Sequence, residues 1–119
     1  MGYKQNLGRT GENLVADLLQ SQGNRLLERN WRIREGEIDL IALAPNGVIR
    51  FVEVKTRSSE KFGHPLEAID ARKAMRLQRL ALAWLSTHQH LGAEYQIDCA
   101  AVLSSATGES RIDYRSAIL

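Results

Sequence analysis

The chain has 119 residues, of which 44% are hydrophobic and 25% charged, and these values are those of one folded globular domain rather than a disordered segment. The net charge of +2 is weak evidence for an anionic partner, so the placement of the basic residues matters more than their sum. The single cysteine, Cys99, excludes an internal disulfide and a cysteine-based metal cluster, and its apolar surroundings predict a buried, inert thiol. The sequence shows no signal peptide and no stretch able to span a bilayer, so we expect no membrane contact and a cytoplasmic location.

Helical and strand periodicities divide the chain into a series of elements. The predicted elements, in chain order, are a helix over residues 10–22, strands over 25–34, 37–44 and 48–56, a polar loop over 56–63, a helix over 70–88, a strand over 95–103 and a short strand over 111–114. Thr10 is expected to cap the first helix and Gly23 to end it. This order predicts an α/β or α+β domain in which a central mixed β-sheet is flanked by helices.

The turn between the second and third predicted strands sets the register of a hairpin. Ala44–Val48 contains Pro-Asn-Gly, which suits a three-residue loop ending in a left-handed glycine. When the residues that flank this loop pair, Asp39 lies opposite Glu53 and Glu37 lies opposite Lys55, all on one face. The apolar residues behind this charged face are Ile38, Leu40, Val52 and Val54. A two-residue loop would shift the register by one residue and break the pairing.

The pairing of Asp39 with Glu53 predicts a divalent-metal site, because two opposed carboxylates repel each other unless a cation lies between them. Hard oxygen ligands without nearby Cys or His favour Mg²⁺ or Mn²⁺ over zinc. Such a cation polarises a phosphate and lowers the pKa of a bound water. Lys55, on the same face, would stabilise negative charge on the phosphate or orient the nucleophile. The alternative is that Glu53 and Lys55 belong to the hydrated face of an amphipathic hairpin, a common pattern.

Glu12 has an unusual position for a carboxylate. At helical spacing it shares a face with Ala16 and Leu19, which are expected to point toward the core. A carboxylate there needs a partner because an isolated buried charge is costly. Two interpretations stay open: Glu12 is a first-turn residue that interacts with the helix dipole, or it is a third acidic member of the site.

Several longer motifs together resemble the YraN-like family. They are Gly8-x-x-Gly11-Glu12, Asn30-Trp31-Arg32, Gly36-Glu37-Ile38-Asp39-Leu40-Ile41, Phe51-Val52-Glu53-Val54-Lys55-Thr56-Arg57 and Phe62-Gly63. The similarity extends from Gly8 to about Asp98. Members are small bacterial proteins, and the resemblance implies a restriction-endonuclease-like fold. In that fold, Asp39, Glu53 and Lys55 match the D…ExK core of the PD-(D/E)xK nucleases.

Within that superfamily, the chain is similar to archaeal Holliday junction resolvases. Those proteins carry an acidic residue on the first helix, which Glu12 matches, so the resemblance adds Glu12 to the catalytic set. Two positions depart from the pattern: Ile38 stands where the superfamily label has Pro, and Gln96 stands where this family is expected to have Arg. The second departure concerns one phosphate contact and not the metal site.

Basic residues on the second long helix form a candidate nucleic-acid surface. Arg72, Arg76 and Arg79 recur at helical spacing, and such a stripe is expected to meet a phosphate backbone or, more commonly, to be a solvated helix face. Lys73 lies on a different face with apolar neighbours. Its match to a family position implies that its ammonium reaches toward the active cleft.

The loop after the third predicted strand is the other candidate surface. Arg57 and Lys61 are expected to contact DNA beside the cut, with Gly63 as a hinge, although a mobile surface loop is the alternative. His64, His88 and His90 are not expected to be metal ligands; His88 and His90 lie at a helix end, where a cationic histidine is favourable.

These observations lead to one preferred function and two alternatives. We expect a Mg²⁺- or Mn²⁺-dependent endonuclease that hydrolyses DNA phosphodiester bonds, with branched or recombination intermediates as candidate substrates. A homodimer would suit the cutting of paired strands, and a DNA-processing protein would suit the presentation of the substrate. The alternatives are a non-catalytic nucleic-acid-binding or adaptor domain, and a small structural protein whose charged hairpin faces water.

Overall fold

The computed structural model of the chain describes residues 3–58, 64–105 and 107–119. The helices are α1 (Tyr3–Ser21) and α2 (Ala71–Thr87), with a short 3₁₀ helix at Pro65–Ala68. The strands are β1 (Arg25–Ile33), β2 (Gly36–Leu43), β3 (Ile49–Arg57), β4 (Tyr95–Ser104) and β5 (Ser110–Arg115). The described part of the chain is therefore an α/β domain, as the element order predicted.

The five strands form one mixed sheet in the order β1-β2-β3-β4-β5. The β1–β2, β2–β3 and β4–β5 pairs are antiparallel, whereas β3 and β4 are parallel. A parallel pair needs a crossover, and α2 lies in the connection between β3 and β4. The sheet places β3, which carries Glu53 and Lys55, at its centre.

The two helices cover opposite faces of the sheet. Neighbouring residues of a strand point to opposite sides, so successive pairs of the hairpin contact different helices. Leu40 and Val52 are paired across the hairpin and pack with the buried face of α1. Ile41 and Phe51, the next pair, pack with Leu77 and the rest of the buried face of α2. Both faces of the central strands are therefore covered where these pairs pack.

The predicted start of α1 is wrong, whereas the predicted bounds of α2 are confirmed. α1 begins at Tyr3 rather than at Thr10, whose side chain is exposed on the helix surface, so the predicted N-cap is wrong. The residues before Thr10 include Lys, Gln, Leu and Arg, whose helix preference outweighs one glycine. α2 is confirmed: the Asp70 side chain accepts a hydrogen bond from the Lys73 N–H (2.9 Å), and His88 follows the last turn as its C-cap.

The predicted hairpin register between β2 and β3 is confirmed. The Ala44 N–H donates to the Val48 carbonyl, and the Gly47 N–H donates to the Ala44 carbonyl, both at 2.9 Å. Gly47 has φ of 91°, a left-handed conformation that glycine adopts without strain. The pairs that follow include Leu40 with Val52, as a three-residue loop requires.

A buried carboxylate ties β3, β4, β5 and the C-terminal segment together. Asp98 is fully buried and accepts hydrogen bonds from Arg50 (3.0 Å), Gln96 (2.7 Å), the Tyr114 hydroxyl and the Ala117 N–H (2.8 Å). Gln96, the departure from the expected arginine, thus serves this network. A buried charge with this many donors is stabilised by them.

No helix in the described part of the chain is long and apolar enough to cross a membrane.

Candidate active site

Asp39 lies where the β2–β3 pairing stops. The last pair in the ladder is Leu40 with Val52, and the next backbone donor on β3, the Val54 N–H, is taken by the Asp39 carboxylate at 2.8 Å. The alternation of β2 is also interrupted here, because Ile38 packs on the α2 side while Leu40 packs on the α1 side. The prediction that Ile38 shares a face with Leu40 is therefore wrong, and this irregularity turns Asp39 toward β3.

The Asp39 and Glu53 carboxylates are brought together, as the register predicted. Burial raises the pKa of Asp39 to about 8, with further contributions from the Glu53 charge and a side-chain hydrogen bond to Glu53; the Val54 N–H opposes the rise. The negative charge of Glu12 acts on Asp39 in the same direction. Three carboxylates thus contribute to one region of negative potential at the end of the hairpin.

Two lysines neutralise part of this charge. Lys55 lies two residues after Glu53 on β3, and its Nζ is 3.6 Å from Glu53 Oε1, with both side chains largely buried. Lys73, in the first turn of α2, has its pKa lowered chiefly by the nearby Lys55 charge, and Glu53 acts in the opposite direction. The expectation that the Lys73 ammonium reaches the cleft agrees with this geometry.

Glu12 is linked to Glu37 through Asn30 and lies near Asp39 and Glu53, with which it forms the carboxylate cluster. With its amide nitrogen toward the carboxylates, Asn30 donates to Glu12 Oε1 (3.0 Å) and Glu37 Oε1 (3.1 Å). Burial raises the pKa of Glu12, the Asn30 hydrogen bond lowers it, and the Glu37 charge raises it. Glu12 therefore faces other carboxylates, which agrees with its interpretation as an acidic member of the site.

The predicted pairing of Glu37 with Lys55 does not form. The β2–β3 ladder ends before these residues, and Glu37 instead pairs with Arg32 of β1, whose Nη2 and Nε lie 2.5 and 3.0 Å from Glu37 Oε2. Lys55 pairs with Glu53. The prediction assumed an unbroken ladder, whereas β2 leaves β3 at Asp39 and continues only with β1.

Gly11 allows α1 to approach β3 closely. A Cβ built at Gly11 would lie 2.2 Å from Thr56 Oγ1, a distance that real Cβ atoms do not reach. Glu12 follows Gly11 directly, so this close contact sets how near Glu12 comes to the strand that carries Glu53 and Lys55. The Gly8-x-x-Gly11-Glu12 motif does not by itself predict this contact between α1 and β3.

The other basic residues that were predicted to contact nucleic acid are exposed wherever the structure describes them. Arg57 ends β3, and its Nη1 donates to the Thr56 carbonyl at 3.3 Å. Arg72 and Arg76 are on the exposed surface of α2, and the Arg76 charge contributes to the lowered pKa of Lys73. Lys61 and the hinge predicted at Gly63 lie outside the described residues.

Comparison with known proteins assigns the chain to a family. Residues 11–113 match the model of the Uncharacterised protein family UPF0102. A UPF0102 protein of Arthrobacter sp. (strain FB24) is 45% identical over 114 residues, which cover 96% of each chain. Another, from Leifsonia xyli subsp. xyli, is 44% identical over 119 residues and the whole of both chains.

The chain belongs to the UPF0102 family. This confirms the YraN-like resemblance read from the motifs. The matched region includes the four acidic and basic side chains predicted as the catalytic set, Glu12, Asp39, Glu53 and Lys55.

The donor set in this member of the family suits a hard cation. Among residues 3–58, 64–105 and 107–119, no group of three His, Cys, Asp or Glu side chains is arranged as a metal site. Asp39 and Glu53 offer two carboxylates, and Mg²⁺ is commonly held by one or two carboxylates together with waters and substrate phosphates. Burial first, and the nearby Glu53 charge second, raise the pKa of Asp39, and a divalent cation would offset both effects by favouring the ionised carboxylate.

Asn30 is the residue at this site that sequence reasoning missed. It has φ of 51° within β1, and asparagine is one of the few residues that adopt this conformation. The Asn30-Trp31-Arg32 motif marked the position without a role. Its contacts to the Glu12 and Glu37 carboxylates depend on the pairing of β1 with β2, which no local sequence pattern predicts.

Proposed function

We propose that the chain is a divalent-metal-dependent nuclease that hydrolyses DNA phosphodiester bonds. The observation that carries the proposal is the forced proximity of Asp39 and Glu53, with Lys55 Nζ 3.6 Å from Glu53. A folded protein does not gain stability from two carboxylates in one half-buried place. Such groups cluster at functional sites, where a cation or substrate compensates their charge.

In this proposal, Asp39 and Glu53 supply oxygen ligands for Mg²⁺ or Mn²⁺. When bound, the cation supplies Lewis-acid stabilisation for a phosphate oxygen and favours ionisation of water. The Val54 N–H fixes the Asp39 carboxylate by a 2.8 Å hydrogen bond, so the ligand does not have to be ordered on binding. Ion pairing with Glu53 holds Lys55 beside the cluster, where its ammonium neutralises negative charge that develops on the phosphate.

Glu12 acts at the edge of this arrangement. Asn30 orients its carboxylate through a 3.0 Å hydrogen bond, and burial keeps its pKa above the ordinary value. A carboxylate with a raised pKa holds a proton more readily than an ordinary one, which suits proton exchange with a substrate or a water. Lys73, beside Lys55, adds a second positive charge for the substrate phosphate.

The fold and substrate class belong to the same proposal. A mixed sheet with α1 on one face and α2 on the other is compatible with a restriction-endonuclease-like fold. The resemblance to archaeal Holliday junction resolvases makes branched DNA the first substrate to test.

A second candidate function is a nucleic-acid-binding or adaptor domain without turnover. The observation that favours it is the pKa of about 8 for Asp39, because a protonated carboxylate is a poor metal ligand at neutral pH. Lys55 then neutralises Glu53, and the exposed arginines of α2 contact phosphates.

Cleavage assays separate the two candidates. Labelled linear, single-stranded and four-way-junction DNA would be incubated with Mg²⁺ or Mn²⁺ and the wild type, Glu53→Gln, Lys55→Ala or Glu94→Gln, a matched control at an exposed position. The nuclease proposal expects metal-dependent cutting by the wild type and the control, and a loss of at least about 100-fold in the two site variants. Binding without any cutting would favour the adaptor function, and cutting that persists in Glu53→Gln would contradict the assignment of catalysis to this site.

A further inference from the structure

A row of exposed arginines lies along β1, on the side of the carboxylate cluster away from α2. β1 is an edge strand of the sheet, and Arg29, Arg32 and the following turn residue Arg34 are all exposed. We call these three residues the β1 basic edge. Neither the sequence motifs nor the family match assigns a role to it.

The β1 basic edge adjoins the cluster through specific contacts. The Nε and Nη2 atoms of Arg32 both donate to Glu37 Oε2, and Asn30 links Glu37 to Glu12. Arg29 is paired with Leu40 and donates to Asn13 of α1 at 2.5 Å. The edge therefore lies on the α1 side of the sheet, whereas Lys73, Arg72 and Arg76 belong to the α2 side.

Arg32 is held without being buried. Its side chain is 76% exposed despite the contact with Glu37, and an exposed ion pair of this kind contributes only about 0–1 kcal/mol to stability. The guanidinium therefore keeps free donors toward solvent, and the planar fork of arginine suits phosphate oxygens. Glu37 limits the orientations of Arg32 and so lowers the entropy that a phosphate contact would cost.

We propose that the β1 basic edge is a contact surface for the phosphate backbone of a nucleic-acid substrate. The inference rests on the proposed function in taking nucleic acid as the ligand. A polyanion has to approach a cluster of carboxylates, and flanking positive charge makes that approach favourable. With α2 on one side and the β1 basic edge on the other, the backbone crosses the cluster between two basic surfaces.

Salt-dependent binding tests this surface without requiring catalysis. The anisotropy of labelled duplex and four-way-junction DNA would be measured in EDTA between 50 and 200 mM NaCl for the wild type, Arg32→Ala/Arg34→Ala and Arg25→Ala. Arg25 is exposed at the opposite end of β1, where it pairs with Leu43, so its variant removes one positive charge from the same strand outside the β1 basic edge. Each phosphate contact contributes about 0.9 to the slope of log K against log[salt], which over this fourfold salt range is about 3.5-fold in affinity.

The expected result is a slope lower by about 2 in the double variant, equal for different DNA sequences, with the slope of Arg25→Ala close to that of the wild type. A wild-type protein that binds while the double variant keeps its slope would overturn the inference, and so would a decrease of about 1 in Arg25→Ala, which is the same decrease per charge removed. A decreased slope in a protein that never cleaves DNA would overturn the nuclease proposal alone. Cleavage with an unchanged slope would overturn the surface alone.

Discussion

Replacing Asp39 by asparagine should stabilise the protein at alkaline pH. The folded pKa of Asp39 is about 8 and its ordinary value is 3.8, so between these values the folded state binds more protons than the unfolded state. The free energy of unfolding of the wild type therefore falls as pH rises from about 4 to about 8, and this loss persists above pH 8. Asparagine does not titrate, and its carbonyl can still accept the Val54 N–H.

The expected gain in stability follows from the difference between the folded and the ordinary pKa of Asp39. About 4 pKa units at 1.36 kcal/mol per unit give a ceiling of about 6 kcal/mol. Asp39 is only partly buried, so screening by water reduces this value. We expect Asp39→Asn to exceed the wild type by about 2 kcal/mol at pH 9, a rise of about 8 °C in Tm for a chain of this size, and to match it near pH 4.

Urea denaturation in EDTA from pH 4 to pH 9 measures this difference. Asp17→Asn is the matched control, because Asp17 is exposed on α1, and its difference from the wild type should stay near zero at every pH. If Asp39→Asn is no more stable than the wild type at pH 9, or if their difference does not grow with pH, the burial of Asp39 beside Glu53 is refuted.

Three other predictions concern packing and burial around the site. Gly11→Ala should lower stability by about 1–3 kcal/mol through the contact with Thr56 Oγ1, and Thr56→Ala in the same chain should recover part of the loss in urea titrations; an equal loss with Thr56→Ala would contradict this. Asp98→Ala should cost about 3–5 kcal/mol, because it leaves Arg50 and its other donors without their buried acceptor; a Tm within 2 °C of the wild type would refute the network. Burial raises the pKa of Cys99 to about 12, so a thiol reagent at pH 8 should modify it only after denaturation. Rapid labelling of the native protein would contradict its burial.

The sequence predicted those parts of the site that depend on local rules. Pro45, Asn46 and Gly47 select one loop length, and that loop fixes the pairing of Leu40 with Val52. The approach of Asp39 to Glu53 follows from the same register. The helix predicted over residues 70–88 is likewise α2, and the structure adds that Asp70 is its N-cap.

The parts that failed depend on contacts between distant segments. Glu37 was assigned to Lys55 by extending a regular ladder, whereas the irregularity at Asp39 releases Glu37 to Arg32 of β1. The role of Asn30 requires a left-handed residue inside a strand, which strand patterns do not indicate. Local periodicity thus predicts which residues alternate, but not where tertiary contacts interrupt the alternation.

Divalent-cation binding tests the central claim most directly. Free Mn²⁺ would be measured by electron paramagnetic resonance at pH 9, where Asp39 is ionised, during titration of the wild type, Asp39→Asn, Glu53→Gln and Asp17→Asn. The account predicts that the wild type and Asp17→Asn bind Mn²⁺ and that both site variants lose at least about 10-fold in affinity. Equal binding by all four proteins, or no binding by the wild type, would contradict a metal site at Asp39 and Glu53.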